Sequence, residues 1–290
     1  MLVESFSHPK CRALSKPSDD TVLITPNVIG VFDGATDPLG RTVGNYSQGR
    51  FASETVANEC ASLLSDERGF ELSLIEIVER LSLVLRERKN QLGFTGQAAT
   101  TLALFLYNSE KFRFIVLGDS GIRINNTNVL RHCKLVDEIA ASARIQIYRL
   151  LSSERGQVDS VEYQARRVIF QGFAQAQKDE LINPEDAEQI IKDVCNAFSS
   201  AACAQEIEEF LTNGIQKQGD FANRTDRSLG FSALDGSIPM LADVIDETHP
   251  ANEIHSVEVF TDGYFDLPQL PTVQSWEAHF AQCEEQDFHK

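Results

Sequence analysis

The chain has 290 residues, 42% of them hydrophobic, so it is long enough for one large domain or two small ones and can bury a sizeable core. Its formal net charge of −17 argues against nucleic acid or an anionic membrane as the main partner, because both would repel it. The six cysteines include no CxxC pair, which favours reduced thiols over a zinc site or a disulfide framework. The N-terminus does not resemble a signal peptide and no run of 18 apolar residues occurs, so we expect a cytoplasmic protein of undetermined oligomeric state.

The first predicted elements are strands that carry acidic residues at one end. Residues 1–25 are expected to form a strand, a loop and a second strand, and Asp19 and Asp20 lie at the start of that second strand. The apolar run 28–32 then leads into Asp33 and Gly34. In a hairpin of two strands of similar length, acids at the start of the first and the end of the second meet at one rim. The alternative is that Asp19 and Asp20 merely begin a strand.

Two amphipathic helices are predicted next, over residues 49–65 and 72–90, with apolar residues spaced three and four apart. A hairpin of nearly continuous apolar strands follows, 96–107 and 112–118, and its second strand leads into Asp119. The order of strands, helices and strands favours an antiparallel sheet system with helices outside rather than a βαβ wind.

The segment from about 135 to 213 is predicted to be a helical insertion, with helices over 135–151, 161–176 and 184–211. Its residues suggest packing or a lid rather than chemistry. A further strand, from residue 256, ends at Asp262 and Gly263.

Three hydrophobic strands therefore each lead into an aspartate at a turn, namely Asp33, Asp119 and Asp262. Hard divalent cations such as Mg²⁺ or Mn²⁺ require several oxygen ligands, and carboxylates from strands distant in sequence can supply them. For any one copy, the alternative is that Asp-Gly is simply a common way to leave a strand. Three copies in the same context favour a metal site.

Taken in order, these motifs resemble those of the PPM or PP2C-type metal-dependent protein serine/threonine phosphatases. The resemblance spans roughly residues 15–266. The matching segments are SDDTVLI (18–24), VFDGAT (31–36), AATTLAL (98–104), VLGDSGIRI (116–124), VFTDGYFD (259–266) and, more loosely, RSLGFSALDG (227–236). The resemblance implies an α+β fold: a four-layer sandwich of two antiparallel β-sheets flanked by helix pairs, forming a single PP2C-like domain over residues 1–290.

The resemblance also implies a binuclear centre of Mg²⁺ or Mn²⁺ with a third, weaker site. It makes Asp33 the carboxylate that bridges the two ions, with the carbonyl of Gly34 on one of them. Asp262 would bind the other ion, and Asp119 the weaker one. The implied activity is hydrolysis of phosphoserine and phosphothreonine in a phosphoprotein substrate by a metal-activated water, which requires no side-chain nucleophile.

Several positions depart from the family pattern. Asp19 stands in place of the usual Glu, and with Asp20 it would act through bound water. Residues 35–37 replace the common Gly-Gly or His-Gly-Gly, which excludes a histidine acid there. The family's phosphate-binding Arg would fall on Ser15, for which Lys16 or Arg12 could substitute.

No segment after Asp266 resembles the family's last strand, whose first aspartate is a metal ligand; Glu284, Glu285 and Asp287 resemble only the acidic stretch before it. That strand is therefore apparently lacking, and we expect either that the sequence is truncated before it or that one metal is held with a ligand missing. Two alternatives to an active protein phosphatase stay open: a catalytically impaired PP2C-like binding or regulatory module, and a phosphatase for small phosphorylated metabolites.

Overall fold

The computed structural model describes residues 2–8, 17–37, 40–94, 96–155, 159–263 and 266–286. These residues form two compact units. The sandwich unit contains the described residues of 2–132 and 232–286, and the helical unit contains those of 133–231. The helices predicted for the insertion lie in the helical unit. That the two units together make one functional domain stays a prediction.

The strands of the described chain all belong to the sandwich unit and pair antiparallel. In chain order they are β1 (Thr21–Ile24), β2 (Val28–Phe32), β3 (Thr42–Val43), β4 (Tyr46–Ser47), β5 (Leu102–Tyr107), β6 (Lys111–Leu117), β7 (Gly121–Ile124), β8 (Asn128–Arg131), β9 (Ile245–Pro250) and β10 (Val257–Phe260). One sheet has the order β1-β2-β5-β6-β9, a second has the order β10-β7-β8, and β3 and β4 form a small hairpin.

The helices are divided between the two units. In chain order they are α1 (Gln48–Leu63), α2 (Glu67–Glu71), α3 (Leu74–Gln91), α4 (Leu135–Arg155), α5 (Asp159–Gln171), α6 (Phe173–Lys178), α7 (Pro184–Ala197), α8 (Ala204–Asn213) and α9 (Val273–Gln286). Short 3-10 turns occur at Ile215–Phe221, Leu241–Asp243 and Ala251–Glu253. Helices α4 to α8 pack around their own apolar core within the helical unit.

The layers of the sandwich unit follow from the two faces of β5. Leu104 and its alternate neighbours pack in one apolar cluster with residues of α1 and α3, whereas Phe105 packs in another with residues of β7 and β8. On β10, Val259 joins the cluster between the sheets, and Phe260 lies on the other face, 5.4 Å from the Trp276 ring of α9. The order is thus helix pair, sheet, sheet and helix, and the predicted α+β class with two antiparallel sheets is confirmed.

Three predictions about the extent of elements are wrong. The helix predicted over 184–211 is interrupted between α7 and α8, because the N–H groups of Ala201 and Ala202 turn back to the carbonyl of Phe198. Residues 2–8 form no strand, since they take part in none of the ladders of the described sheets; Glu4 instead accepts through its side chain from the backbone N–H of Val273 at 3.3 Å. The segment predicted as a helix over 161–176 is divided into α5 and α6 at Gly172.

Candidate metal centre

The first two strands bring acidic residues to one rim of the larger sheet. Thr21 pairs with Phe32 in the antiparallel ladder of β1 and β2, so Asp20, just before β1, lies beside Asp33, just after β2. The carbonyl of Asp33 accepts hydrogen bonds from the Thr100 hydroxyl at 2.7 Å and from the Thr101 N–H at 3.0 Å. The main chain at Asp33 is therefore fixed from the neighbouring segment that leads into β5.

Asp119 lies where the chain crosses from the larger sheet to the smaller one. Gly118 precedes it with φ of +85°, a conformation that suits glycine, and a Cβ at this position would lie 2.6 Å from the Cβ of Thr101. The hydroxyls of Thr101 and Ser120 are 2.7 Å apart and buried, which fixes the other side of the turn. Arg131, the last residue of β8, donates from Nε to the Asp119 carbonyl at 3.0 Å.

The third carboxylate, Asp262, follows β10 and completes a cluster. Asp33, Asp119 and Asp262 each present a carboxylate oxygen, and these oxygens lie within 4.8 Å of one another. Asp119 is buried, Asp33 is half-buried and Asp262 is exposed, so the cluster runs from the protein interior to the surface. We name these three residues the acid cluster.

The electrostatics of the acid cluster are those of crowded negative charges. Burial raises the pKa of Asp33 to about 9, and the charges of Asp262, Asp20 and Asp119 act in the same direction. Burial also raises the pKa of Asp20, as does the charge of Asp262, against the opposing effect of hydrogen bonds from Thr261 and from the N–H of Gly34. Without a cation, the cluster therefore retains a proton at neutral pH.

The two acids of the Asp19-Asp20 pair have different surroundings. Asp20 is hydrogen-bonded to Asp33 and accepts from the Thr261 hydroxyl at 3.2 Å, so it adjoins the acid cluster. Asp19 instead accepts from the hydroxyl of Ser47, the N-cap residue of α1, and its carbonyl accepts from the Ser53 hydroxyl at 2.6 Å. The role predicted for both acids, contact with metal-bound water, stays a prediction, and the geometry favours Asp20 over Asp19.

Gly34 lies against the first turn of α1. A Cβ at Gly49 would lie 2.5 Å from the Gly34 carbonyl oxygen, so neither position has room for a side chain. This close approach places the N-terminus of α1 beside the acid cluster. The carbonyl of Gly34 as a metal ligand stays a prediction, as do the phosphate-binding roles of Lys16 and Arg12, which lie outside the described residues.

The donor set of the acid cluster fits Mg²⁺ or Mn²⁺. Both ions prefer several oxygen ligands, and the converging atoms are carboxylate oxygens without cysteine or histidine among them. A divalent cation would replace the proton on Asp33 and offset the mutual repulsion that raises its pKa. Sequence reasoning missed the hydroxyls of Thr100, Thr101 and Ser120, although all three stand in segments that it had singled out, 98–104 and 116–124.

Comparisons with known proteins gave structural similarity only. A scan of protein-family models and a search of curated proteins found no match. Serine/threonine phosphatase Stp1 from Staphylococcus aureus shares 11% identity at a TM-score of 0.46, and the match covers 93% of this chain and 84% of that one. The Mycobacterium tuberculosis serine/threonine phosphatase PstP/Ppp shares 16% identity at a TM-score of 0.39, over 82% of this chain and 69% of that one.

A third similar structure is the catalytic domain of the serine/threonine protein phosphatase PstP in complex with 2 manganese ions. It shares 14% identity at a TM-score of 0.36, over 80% of this chain and 66% of that one. All three are serine/threonine phosphatases, the class that the sequence motifs resemble. Because every TM-score here is below 0.5, the similarity does not assign an activity to this chain.

Proposed function

We propose that this chain is a metal-dependent phosphatase that hydrolyses phosphoserine and phosphothreonine in proteins. The observation that carries the proposal is the convergence of Asp33, Asp119 and Asp262, from three separate strands, to within 4.8 Å. The PP2C-type motifs at these positions support phosphoester hydrolysis as the reaction. In this proposal residues 1–290 form a single phosphatase domain that contains a helical insertion.

Two Mg²⁺ or Mn²⁺ ions, when bound, would supply activation of water and neutralisation of the charge that develops on the phosphoryl group. Asp33, Asp262 and the Gly34 carbonyl would hold them, with Asp119 at the weaker site. Asp20 and Asp19 would orient water, and Lys16 or Arg12 would bind the substrate phosphate. The net charge of −17 disfavours nucleic acid and anionic membranes as partners. A cytoplasmic location belongs to the same proposal; among the described helices, none combines the length and the apolar character that crossing a membrane requires.

The chain's own residues would contribute positioning. The hydroxyl of Thr100 and the N–H of Thr101 hold the carbonyl of Asp33, and the buried contact of Thr101 with Ser120 holds the turn that carries Asp119. Such supports keep carboxylates in one geometry while ions bind, which preserves the spacing that in-line displacement requires. Asp33 would lose its proton to solvent on binding, because a cation favours the charged carboxylate against the burial and the neighbouring negative charges that raise its pKa.

The test begins with protein stripped by a chelator and titrated with Mn²⁺. Phosphate release is measured from a phosphoserine peptide, a phosphothreonine peptide and a panel of sugar phosphates, with folding followed by circular dichroism. Mn²⁺-dependent release from the peptides, at higher kcat/KM than from the sugar phosphates, is the expected result. Asp193→Asn, which alters an exposed aspartate of α7, is the matched control and should retain full turnover.

The other outcomes identify the alternatives. Higher kcat/KM for a sugar phosphate would replace the proposal with a small-molecule phosphatase. Folded protein that releases no phosphate from any substrate at saturating Mn²⁺ would replace it with a PP2C-like binding or regulatory module.

A further inference from the structure

Two cysteines of the helical unit lie on either side of the turn that separates α7 from α8. Cys195 is in the last turn of α7 and is partly exposed, and Cys203 is the exposed N-cap residue of α8. The sequence spacing gave no indication of a relation between them, because seven residues intervene. The interruption of the predicted helix is what brings the two together.

The contacts place both sulfurs at the same end of the helix pair. The Cys195 thiol donates to the carbonyl of Ala204 at 3.5 Å, and Ala204 is the residue next to Cys203. The Cys203 side chain makes no capping hydrogen bond to α8. Burial raises the pKa of the Cys195 thiol, and the negative charges of Glu208 and Cys203 raise it further, so Cys203 lies within electrostatic range of Cys195.

We propose that Cys195 and Cys203 form a redox-active dithiol that peroxide oxidises to a disulfide linking α7 to α8. In the first step, the Cys203 thiolate attacks one oxygen of hydrogen peroxide: an S–O bond forms, the O–O bond breaks, and the departing hydroxide takes up a proton as water. In the second step, the Cys195 thiolate attacks that sulfur: the S–S bond forms, the S–O bond breaks, and the departing hydroxide takes up a proton as a second water. Two thiols and one peroxide thus yield one disulfide and two waters.

The order of the steps follows from the surroundings of the two thiols. Cys203 is exposed at a helix N-terminus, where peroxide has access. Cys195 is less exposed and donates to a carbonyl, so it is suited to resolve the oxidised sulfur rather than to react first. A disulfide requires Cβ atoms about 3.5–4.5 Å apart. The intervening turn is exposed at residues 196, 197 and 199–201, whereas Phe198 and Ala202 pack against the apolar core, so an adjustment that closes the bridge falls on the exposed residues.

The expected consequence is local stabilisation of the α7–α8 pair. Ile190 and Val194 of α7 and Ile207 and Phe210 of α8 already share one apolar core. A covalent link across the turn would restrict separation of the two helices in partly unfolded states. Oxidised protein should therefore show slower hydrogen exchange in α7 and α8 than reduced protein, and dithiothreitol should reverse the effect.

The experiment uses the whole chain, reduced and then exposed to hydrogen peroxide, followed by alkylation without reductant. Tryptic cleavage after Lys192 and Lys217 gives one peptide, 193–217, that contains both cysteines and no other. The expected result is a peptide that has lost two hydrogens and carries no alkyl group, and that recovers two alkyl groups after dithiothreitol. In Cys195→Ser, Cys203 should instead proceed to sulfinic acid, because its resolving partner is gone.

Cys133→Ser is the matched control, since Cys133 is an exposed cysteine of the same unit outside α7 and α8. That variant should form the intrapeptide disulfide as the unaltered chain does. The proposal is overturned if peroxide-treated, folded protein still alkylates at both Cys195 and Cys203, or if Cys203 is oxidised to sulfinic acid equally fast with and without Cys195. Neither outcome bears on the phosphatase proposal, whose residues lie in other elements.

Discussion

Two carboxylates that belong to β10 and the turn after it, Glu258 and Asp262, have opposite surroundings. Glu258 is 8% exposed and forms a two-bond ion pair with Arg123, itself 6% exposed, and it also accepts from the Trp276 indole at 2.7 Å. Asp262, four residues later, has carboxylates of Asp33 and Asp119 within 4.8 Å. One buried charge is neutralised by the protein's own residues, and the other is placed among like charges. A fold keeps such an arrangement at a cost in stability, which favours a site for an external cation.

The helical unit provides the same contrast in its carboxylates. Burial alone would raise the pKa of Glu162, but hydrogen bonds from Arg144 and Arg166 outweigh it and the net pKa is lowered. For Asp33, burial and neighbouring charges act together and raise the pKa. The charge of the neighbouring side chains therefore decides the direction of the pKa shift. Glu162 has positively charged arginine neighbours, whereas Asp33 has negatively charged aspartate neighbours.

The largest expected effect comes from removing the central acid of the cluster. Asp33→Asn should lower phosphatase turnover by about 10³-fold or more, because in the proposed role the variant loses a metal ligand and with it several kcal/mol of charge stabilisation. The metal-free variant should be at least as stable as the unaltered protein, since one repulsive charge is gone. Initial rates with a phosphopeptide and urea unfolding in chelator measure the two effects. Unchanged turnover in Asp33→Asn would falsify the proposed role.

Arg123 tests the carboxylate that the protein neutralises with its own residues, Glu258. Arg123→Met leaves Glu258 buried beside an apolar side chain, and we expect a loss of roughly 3–5 kcal/mol in the free energy of unfolding. Arg123 also donates to the Pro268 carbonyl at 2.6 Å, so the link to the segment before α9 weakens as well. Urea unfolding at neutral pH measures the effect. A urea midpoint equal to that of the unaltered protein would show that burial of the Glu258 carboxylate does not depend on the guanidinium of Arg123.

The acid cluster also predicts a pH dependence of stability without metal. Asp33 has a pKa of about 9 when folded and 3.8 as a model acid, so the folded state binds more protons between these values. The contribution of Asp33 to stability in chelator should be complete below about pH 4 and should be lost towards pH 9, by at most about 1.4 kcal/mol per pH unit. Urea midpoints at several pH values measure the slope. Asp33→Asn is the control, and an equal slope in that variant would assign the effect elsewhere.

Asp262 and Asp19 provide a matched pair for metal binding. Asp262→Asn should weaken Mn²⁺ affinity by about tenfold or more, equivalent to about 1.4 kcal/mol, because it removes a carboxylate of the acid cluster. Asp19→Asn should weaken it less, because the Asp19 side chain bonds Ser47 at the start of α1. Calorimetric titration of chelator-stripped protein compares the two. Equal losses in both variants would contradict the distinction between the two acids.

Much of this contrast could be predicted from the sequence, and some could not. Asp33, Asp119 and Asp262 were identified because each follows an apolar strand. Hydrophobic periodicity predicts the strand, and the turn-forming residues after it predict where the strand ends. The difference between Asp19 and Asp20 was missed, although neighbouring residues of an extended segment point in opposite directions. The Arg123–Glu258 pair could not be identified, since it joins residues 135 positions apart through a sheet register that the sequence does not state.

The smallest effect is expected at an ion pair of the sandwich unit whose arginine is exposed. Arg80 of α3 donates to Glu59 of α1 at 2.5 Å, with the Arg80 side chain 49% exposed. Arg80→Met should change the free energy of unfolding by less than about 1 kcal/mol, because water and salt already screen the exposed guanidinium. The value should approach zero in 0.5 M salt, whereas the effect of Arg123→Met should persist there, because the pair of Arg123 with Glu258 is buried. If salt reduced the destabilisation by Arg80→Met and by Arg123→Met equally, burial would not explain why the two ion pairs differ in their contribution to stability.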